Sequence, residues 1–318
     1  MAGERSGVDS ATLAAFAGVV VVGGANFVAV KSTVEELDPL FGAAARFGLA
    51  ALVFFAILKA RRVPLPRGRA LADAAIYGAL GFGAAYAAAY TALVELSVGV
   101  ASVLMATAPV FTLALASLQG LERLTLRGAA GAAIAVVGIG VLSAHSLAGD
   151  VPVAYLFAGL IAPIVIGQSA VVAKRFPRTD PVATNAVGMT TGAALLAIAS
   201  LFAGEAWTIP SQGETWVATA WLVFAGSVAL FWLFLFVIQR WTASASTYAL
   251  PLMPVVAVGL AALLQGESVG LEEVAGGLLV LVGVYVGVLL PERRPAVVPA
   301  DPGGCAGKDL VATPSAAR

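Results

Sequence analysis

Long apolar runs alternate with short polar joints along almost the whole chain. A helix needs about 20 mostly apolar residues to cross the hydrocarbon core of a bilayer, where backbone amides must bond within their own segment. Ten runs meet that length: Ala11–Val30, Leu40–Leu58, Leu71–Leu93, Val98–Leu118, Thr125–Leu142, Val153–Ala173, Val182–Phe202, Trp216–Ile238, Ser244–Leu264 and Leu271–Leu290. The first is too long for the apolar part of a signal peptide and is interrupted by Gly23, Gly24 and Asn26, so it reads as a retained helix. After Leu290 the pattern stops. Residues 291–318 hold five prolines and no hydrophobic period, which predicts a disordered tail.

Composition agrees. Of 318 residues 60% are hydrophobic and 11% charged, against roughly 25% charged in soluble domains. The chain is expected to be an all-α integral membrane protein. Its formal net charge is zero, which gives no bias toward nucleic acid. The distribution of charge says more. With the N-terminus inside, all but two of the 18 Lys and Arg residues fall in inner segments, the exceptions being Lys31 and Arg46. Acidic residues such as Glu35, Glu36, Asp38, Glu205 and Glu214 fall in outer loops. Basic loops resist translocation, so both termini, including residues 1–10, are expected on the cytoplasmic side. The single Cys305 and single His145 supply neither a disulfide nor a clustered metal site, so no metal and no cofactor is expected.

The two halves repeat. Pro109, Glu122, Leu126, Gly131 and Gly138 match Pro254, Glu267, Leu271, Gly276 and Gly283 at a constant offset of 145. Earlier the register drifts, with Lys31 matching Lys174 and Asp38-Pro39 matching Asp180-Pro181. Five helices per copy is an odd number, so the second copy must cross in the opposite sense. The loop LERLTLR is basic, and its counterpart QGESVGLEE is acidic. Residues 11–144 and 153–290 are therefore expected to form two inverted five-helix repeats.

The stretches GGANFVAVKSTVEELDPLFGAAARF, ASVLMATAPVFTLALASLQGLERLTLRGAAGAAIAVVGIGVL and STYALPLMPVVAVGLAALLQGESVGLEEVAGGLLVLVGVYVGV resemble the EamA repeats of the ten-helix drug/metabolite transporter superfamily. The resemblance covers roughly Ala11 to Leu290. It implies ten helices, cytoplasmic termini, a central cavity and, most often, export of small metabolites such as amino acids.

Several residues are candidates for that cavity. Pro109 and Pro254, with Pro251 nearby, interrupt helices four and nine and free the carbonyls of Met105, Leu250 and Thr247. A packing kink is the plain alternative, but recurrence in both repeats favours cavity lining. Asn26, Tyr86 and Tyr90 are placed in the outer half, with Phe82, Tyr86 and Tyr90 on one helical face. Gln168, Ser169, Trp232 and Tyr248 are placed in the inner half. As a set, Asn26, Tyr86, Tyr90, Met105, Pro109, Gln168, Ser169, Trp232, Tyr248 and Pro254 are expected to bind a small-molecule substrate, with interhelical packing as the alternative for each. Trp207, Trp216 and Trp241 are assigned to the membrane interface. Arg46 is expected to pair with Glu35, Glu36 or Asp38, a substrate carboxylate being the minor alternative. Lys31 and Lys174 are expected to snorkel. No Asp or Glu occupies the centre of a span, which argues against proton coupling through a buried acid.

The expected function is secondary export or facilitated movement of small metabolites, amino acids favoured, across the plasma (bacterial inner) membrane by alternating access. A polytopic enzyme and a non-transporting sensor or scaffold are the alternatives. The first would need a Ser-His pair at depth or clustered aspartates, and GQSA at Gly167–Ala170 and the terminal position of His145 supply neither. Glycine-rich faces on helices five and ten leave homodimer formation open.

Overall fold

Ten helical rods occupy the apolar runs in the computed structural model, which describes residues 9–93, 98–142, 153–175, 179–265 and 270–289. In chain order they are α1 (Ser10–Val34), α2 (Pro39–Arg61), α3 (Arg69–Gly78 and Ala85–Leu93, joined by a π turn at Ala79–Ala84), α4 (Val98–Ala106 and Ala108–Leu118) and α5 (Leu126–Leu142). The second copy has α6 (Val153–Arg175), α7 (Pro181–Ala203), α8 (Gly213–Val223 and Leu230–Arg240, joined by a π turn at Phe224–Ala229), α9 (Ala243–Thr247 and Ala249–Gln265) and α10 (Leu271–Val284, ending in a π turn at Tyr285–Leu289). No strand occurs among the described residues. Six of the helices are long and apolar enough to cross a membrane, and three shorter apolar ones accompany them. Phe202, Leu118, Leu201 and Phe224 stand largely exposed, a surface that lipid would solvate and water would not. The expected disordered tail, His145 and Glu267 lie outside the described residues.

The packing exchanges the two repeats. Helix α2 lies along its counterpart α7, and α5 along α10. Helix α1 packs on α8 and α9, while its counterpart α6 packs on α3 and α4. The direction of the second copy is legible at α5 and α10: Gly131 abuts Gly283 and Gly287, whereas Gly138 abuts Gly276 and Val280. As one helix advances the other retreats, so the counterparts run antiparallel and the repeats are inverted. The glycine faces noted for self-association are thus consumed within the chain, where absent side chains let two backbones approach.

Helix ends follow the repeat with one informative difference. Asp180 precedes Pro181 and caps its own helix, its carboxylate accepting from the Val182 amide at 2.8 Å. Asp38 precedes Pro39 but makes no such bond. It accepts instead from the Ala206 amide at 2.7 Å, and Glu205 caps α2 from across the repeat boundary, accepting from Leu40 and Phe41 at 3.0 and 2.7 Å.

The prolines act unequally. Helix α4 breaks at Thr107, just before Pro109, as expected. Helix α9 breaks at Tyr248, ahead of Pro251, and runs unbroken through Pro254. Pro251 lacks the donor that Thr247 would need, and after the restart at Ala249 it lies in the first turn, where amides lack intrahelical partners anyway. The expected kink therefore belongs to Pro251 and not to Pro254.

Candidate functional site

The π turns of α3 and α8, the first and second in the chain, occupy equivalent positions, Ala79–Ala84 and Phe224–Ala229 being related by the same offset of 145 as the later helices. A π turn widens the helix and turns carbonyls away from the regular ladder, leaving acceptors for other groups. The second copy uses one directly: Asn26 of α1 donates to the Gly226 carbonyl at 3.2 Å, while its repeat mate Ser169 of α6 lies against Gly81 and donates to the Tyr77 carbonyl at 3.0 Å, two residues before the first turn. Glycine is required at this contact, since a Cβ on Gly226 would lie 2.2 Å from Asn26 Oδ1.

Among the described residues a charge reaches the second π turn and not the first. Arg46, 6% exposed, donates through Nε to Ser227 Oγ and through Nη2 to the Gly226 carbonyl, both at 2.7 Å. Its guanidinium carbon also stands 5.0 Å from the centre of the Phe47 ring, a cation–π contact. The expected ion pair with Glu35, Glu36 or Asp38 does not form. Two helical turns, or about 11 Å of rise, separate Arg46 from the start of α2, and both Glu36 and Asp38 are committed across the loop. An ion pair does join Arg69 and Asp73, at 3.8 Å.

In front of Arg46 lies a partly open crevice between α1, α2, α3 and α8, whose free space of about 20 Å³ admits about one water molecule in this conformation. Asp38, Gly42 and Arg46 form one wall at four-residue intervals, and Tyr90, Thr219 and Leu222 face them. The Thr219 hydroxyl is buried without a hydrogen-bond partner among the described residues. The mouth is bordered by a clasp between repeats. Glu36 accepts from the amide and hydroxyl of Ser211 and from the Gln212 amide. The Ser211 hydroxyl, more than any other group, holds the Glu36 carboxyl down at about 2, with the Ser211 amide and the Thr215 hydroxyl adding to it. Ser32 donates to Glu214 at 3.3 Å.

Of the expected outer group Tyr90 lines this pocket, while Asn26 and Tyr86 contact Gly226 and Phe47 beside Arg46. Asn26 shares the Gly226 carbonyl with Arg46 and accepts from Trp221 Nε1 at 3.2 Å. Tyr86 meets Phe47 edge-on at 4.8 Å, with Tyr90 6.4 Å beyond it. The expected inner group is dispersed over four different partners. Gln168 accepts from Gln119 at 2.7 Å, Ser169 is bound to Tyr77, and Trp232 stacks on Phe236 at 6.1 Å. Tyr248 is buried and donates to the Gly128 carbonyl at 2.6 Å. Met105 and Pro109 flank the break in α4, and Pro254 stays within α9. Lys174 does not snorkel: it donates to the carbonyls of Ile238 and Trp241 at 3.0 and 2.7 Å, closing the end of α8. Trp207, assigned to the interface, donates to Ser200 and stacks near Phe41. Sequence reasoning missed Ser227, Gly226 and Thr219; the coincidence of Gly81 with Gly226 under the repeat was the available signal.

Comparison with known proteins gives this arrangement a setting. The chain matches the EamA-like transporter family over residues 10–144 and again over 153–289. It is 30% identical over 287 residues to the uncharacterized inner membrane transporter YedA of Escherichia coli K12, covering 88% of this chain and 92% of the relative. It is 28% identical over 283 residues to a probable amino-acid metabolite efflux pump of Salmonella typhimurium, covering 85% and 92%. A solved crystal structure shares the fold at a TM-score of 0.76 and 21% identity, over 88% of this chain and 96% of that one. Two family repeats and relatives matched over nearly their full length establish that the chain belongs to the EamA-like transporter family.

Proposed function

We propose that this transporter moves small amino-acid-type metabolites across the plasma membrane by alternating access, with both termini cytoplasmic and the α1–α2 and α7–α8 loops outside. The observation that carries this reading is the pocket beside the second π turn, where apolar walls, Tyr90 and a buried guanidinium converge. Such a mixture of apolar lining and a few fixed polar groups suits a small amphipathic solute. The name of the Salmonella relative supports the amino-acid class. Asn26, Tyr86 and Tyr90 are the proposed substrate contacts, and Met105 and Pro109 supply the break that lets α4 bend. Gln168, Ser169, Trp232, Tyr248 and Pro254 hold helices together around them.

Alternating access requires the clasp of Glu36, Asp38 and Glu205 to open while the repeats rock about the α2–α7 and α5–α10 contacts. Without an acid at span centres the movement is facilitated or coupled to something other than a buried carboxyl. Counterflow in proteoliposomes against a panel of amino acids, nucleobases, sugars and quaternary amines tests the proposal. Uptake of at least one amino acid, reduced by Tyr86→Ala and Tyr90→Ala, is the expected result; uptake confined to the other classes would refute the amino-acid reading.

A further inference from the structure

We infer that Arg46 and Thr219 form a carboxylate-binding subsite, which anchors the acidic group of the transported molecule. The inference rests on the transporter reading for its purpose but on geometry for its chemistry.

A guanidinium offers five N–H donors in a fixed plane. Nε and Nη2 of Arg46 are engaged by Ser227 and the Gly226 carbonyl. Nη1 has no acceptor among the described residues, and no carboxylate lies within ion-pair distance of Arg46. A charge buried to this degree without a counter-ion is costly, and an incoming anion repays that cost where a neutral group does not. Arg46 and Thr219 line the same pocket, and the buried Thr219 hydroxyl is also without a partner among the described residues. Two N–H groups on Nη1, one on Nη2 and the Thr219 hydroxyl remain as donors, enough to hold both oxygens of a carboxylate. Ser227 and the Gly226 carbonyl fix the plane of the fork before any ligand arrives, so the remaining edge is aimed without further ordering. Val30, Val34, Leu37 and Leu222 supply apolar wall for the rest of the solute.

Lysine would not serve in the same way. An ammonium is a point donor and cannot hold Ser227 and Gly226 in one plane while presenting a second edge.

The test uses the purified full-length protein and a matched probe set: phenylacetate, phenylacetamide and phenethylamine. Thermal unfolding is followed as each is added. Phenylacetate is expected to raise Tm, with the amide and the amine binding about 10-fold to 100-fold more weakly, the range set by one charge-assisted hydrogen-bond pair. Arg46→Gln removes the phenylacetate shift. Thr219→Val, which leaves every contact of Arg46 intact, weakens phenylacetate several-fold and leaves phenylacetamide unchanged; it serves as the decisive variant if Arg46→Gln does not fold. Equal shifts from acid and amide, no shift from the acid, or an acid shift that survives Arg46→Gln overturns the subsite. Carboxylate binding without amino-acid counterflow would retain the subsite and remove the proposed function alone.

Discussion

The two π turns are the same backbone device placed in two different settings. In the register of the repeat, Ala74, Tyr77 and Gly78 of α3 correspond to Thr219, Leu222 and Val223 of α8, while Asn185 and Gly188 of α7 correspond to Ala43 and Arg46 of α2. Around the first turn the helices approach closely. Gly78 and Gly188 meet backbone to backbone, so that a Cβ on Gly78 would lie 1.9 Å from the Gly188 carbonyl oxygen, and Tyr77 and Asn185 are buried. Around the second turn the bulk is redistributed. Leucine and alanine replace tyrosine and asparagine, arginine replaces glycine, and a pocket opens in the space between. A duplicated scaffold acquires one site, and not two, through a handful of side chains whose volumes differ.

The largest expected effect lies at the closed turn. Gly78→Val would drive a side chain into the Gly188 backbone, where neither helix can yield, and the variant is expected to be lost on size exclusion in detergent. The reciprocal change, Val223→Ala, removes two buried carbons and is expected to cost about 1.5 kcal/mol while leaving a monodisperse protein. Comparable behaviour of the two variants would break the comparison.

A second pair compares hydrogen bonds. Ser227→Ala takes an acceptor from a buried guanidinium and is expected to lower stability by about 1.5–3 kcal/mol, whereas Ser169→Ala loses a neutral bond worth about 1 kcal/mol. Asn26→Ala is expected at the smaller figure as well, because Arg46 still satisfies the Gly226 carbonyl. Denaturation midpoints in detergent distinguish these values.

The smallest effect concerns the clasp. Since the folded value of Glu36 is depressed from 4.5 to about 2 by its bonds to Ser211, its contribution is fully present above the unfolded value and is lost as pH falls through the folded one. Protection of residues 204–212 against hydrogen exchange, relative to the intrinsic rate at each pH, is expected to be unchanged from pH 7 down to about 4.5 and to fall progressively between 4.5 and about 2. Protection that stays constant across that window would show that the clasp does not hold Glu36. Glu36→Gln is expected to remove the dependence altogether.

Much of this was readable in the chain, and for a physical reason. The bilayer enforces helix length and loop charge, so the ten runs and their duplication stand out in hydropathy alone. The inversion followed from an odd helix count. The π turns did not stand out, because Gly81 and Gly226 look like any small residue in a membrane helix until a partner is seen against them. Arg46 was misread because nearness in sequence to Asp38 and Glu36 suggested nearness in space, while helical rise carried it two turns deeper, to a partner 181 residues away. Tyr248 and Trp232 were grouped by depth, but depth leaves the azimuth around each helix unspecified, and azimuth decides whether a ring meets another helix or an open space.

The central claim is that the open π turn, and not its closed counterpart, holds the solute. With Cys305, the sole cysteine, replaced by serine, Thr219→Cys and Ala74→Cys place a thiol at equivalent positions of the two turns. Reaction with a small methanethiosulfonate in proteoliposomes is expected at residue 219, slowed by phenylacetate, and absent at residue 74. Reaction at residue 74 that phenylacetate slows, with residue 219 inert or unprotected, would contradict it.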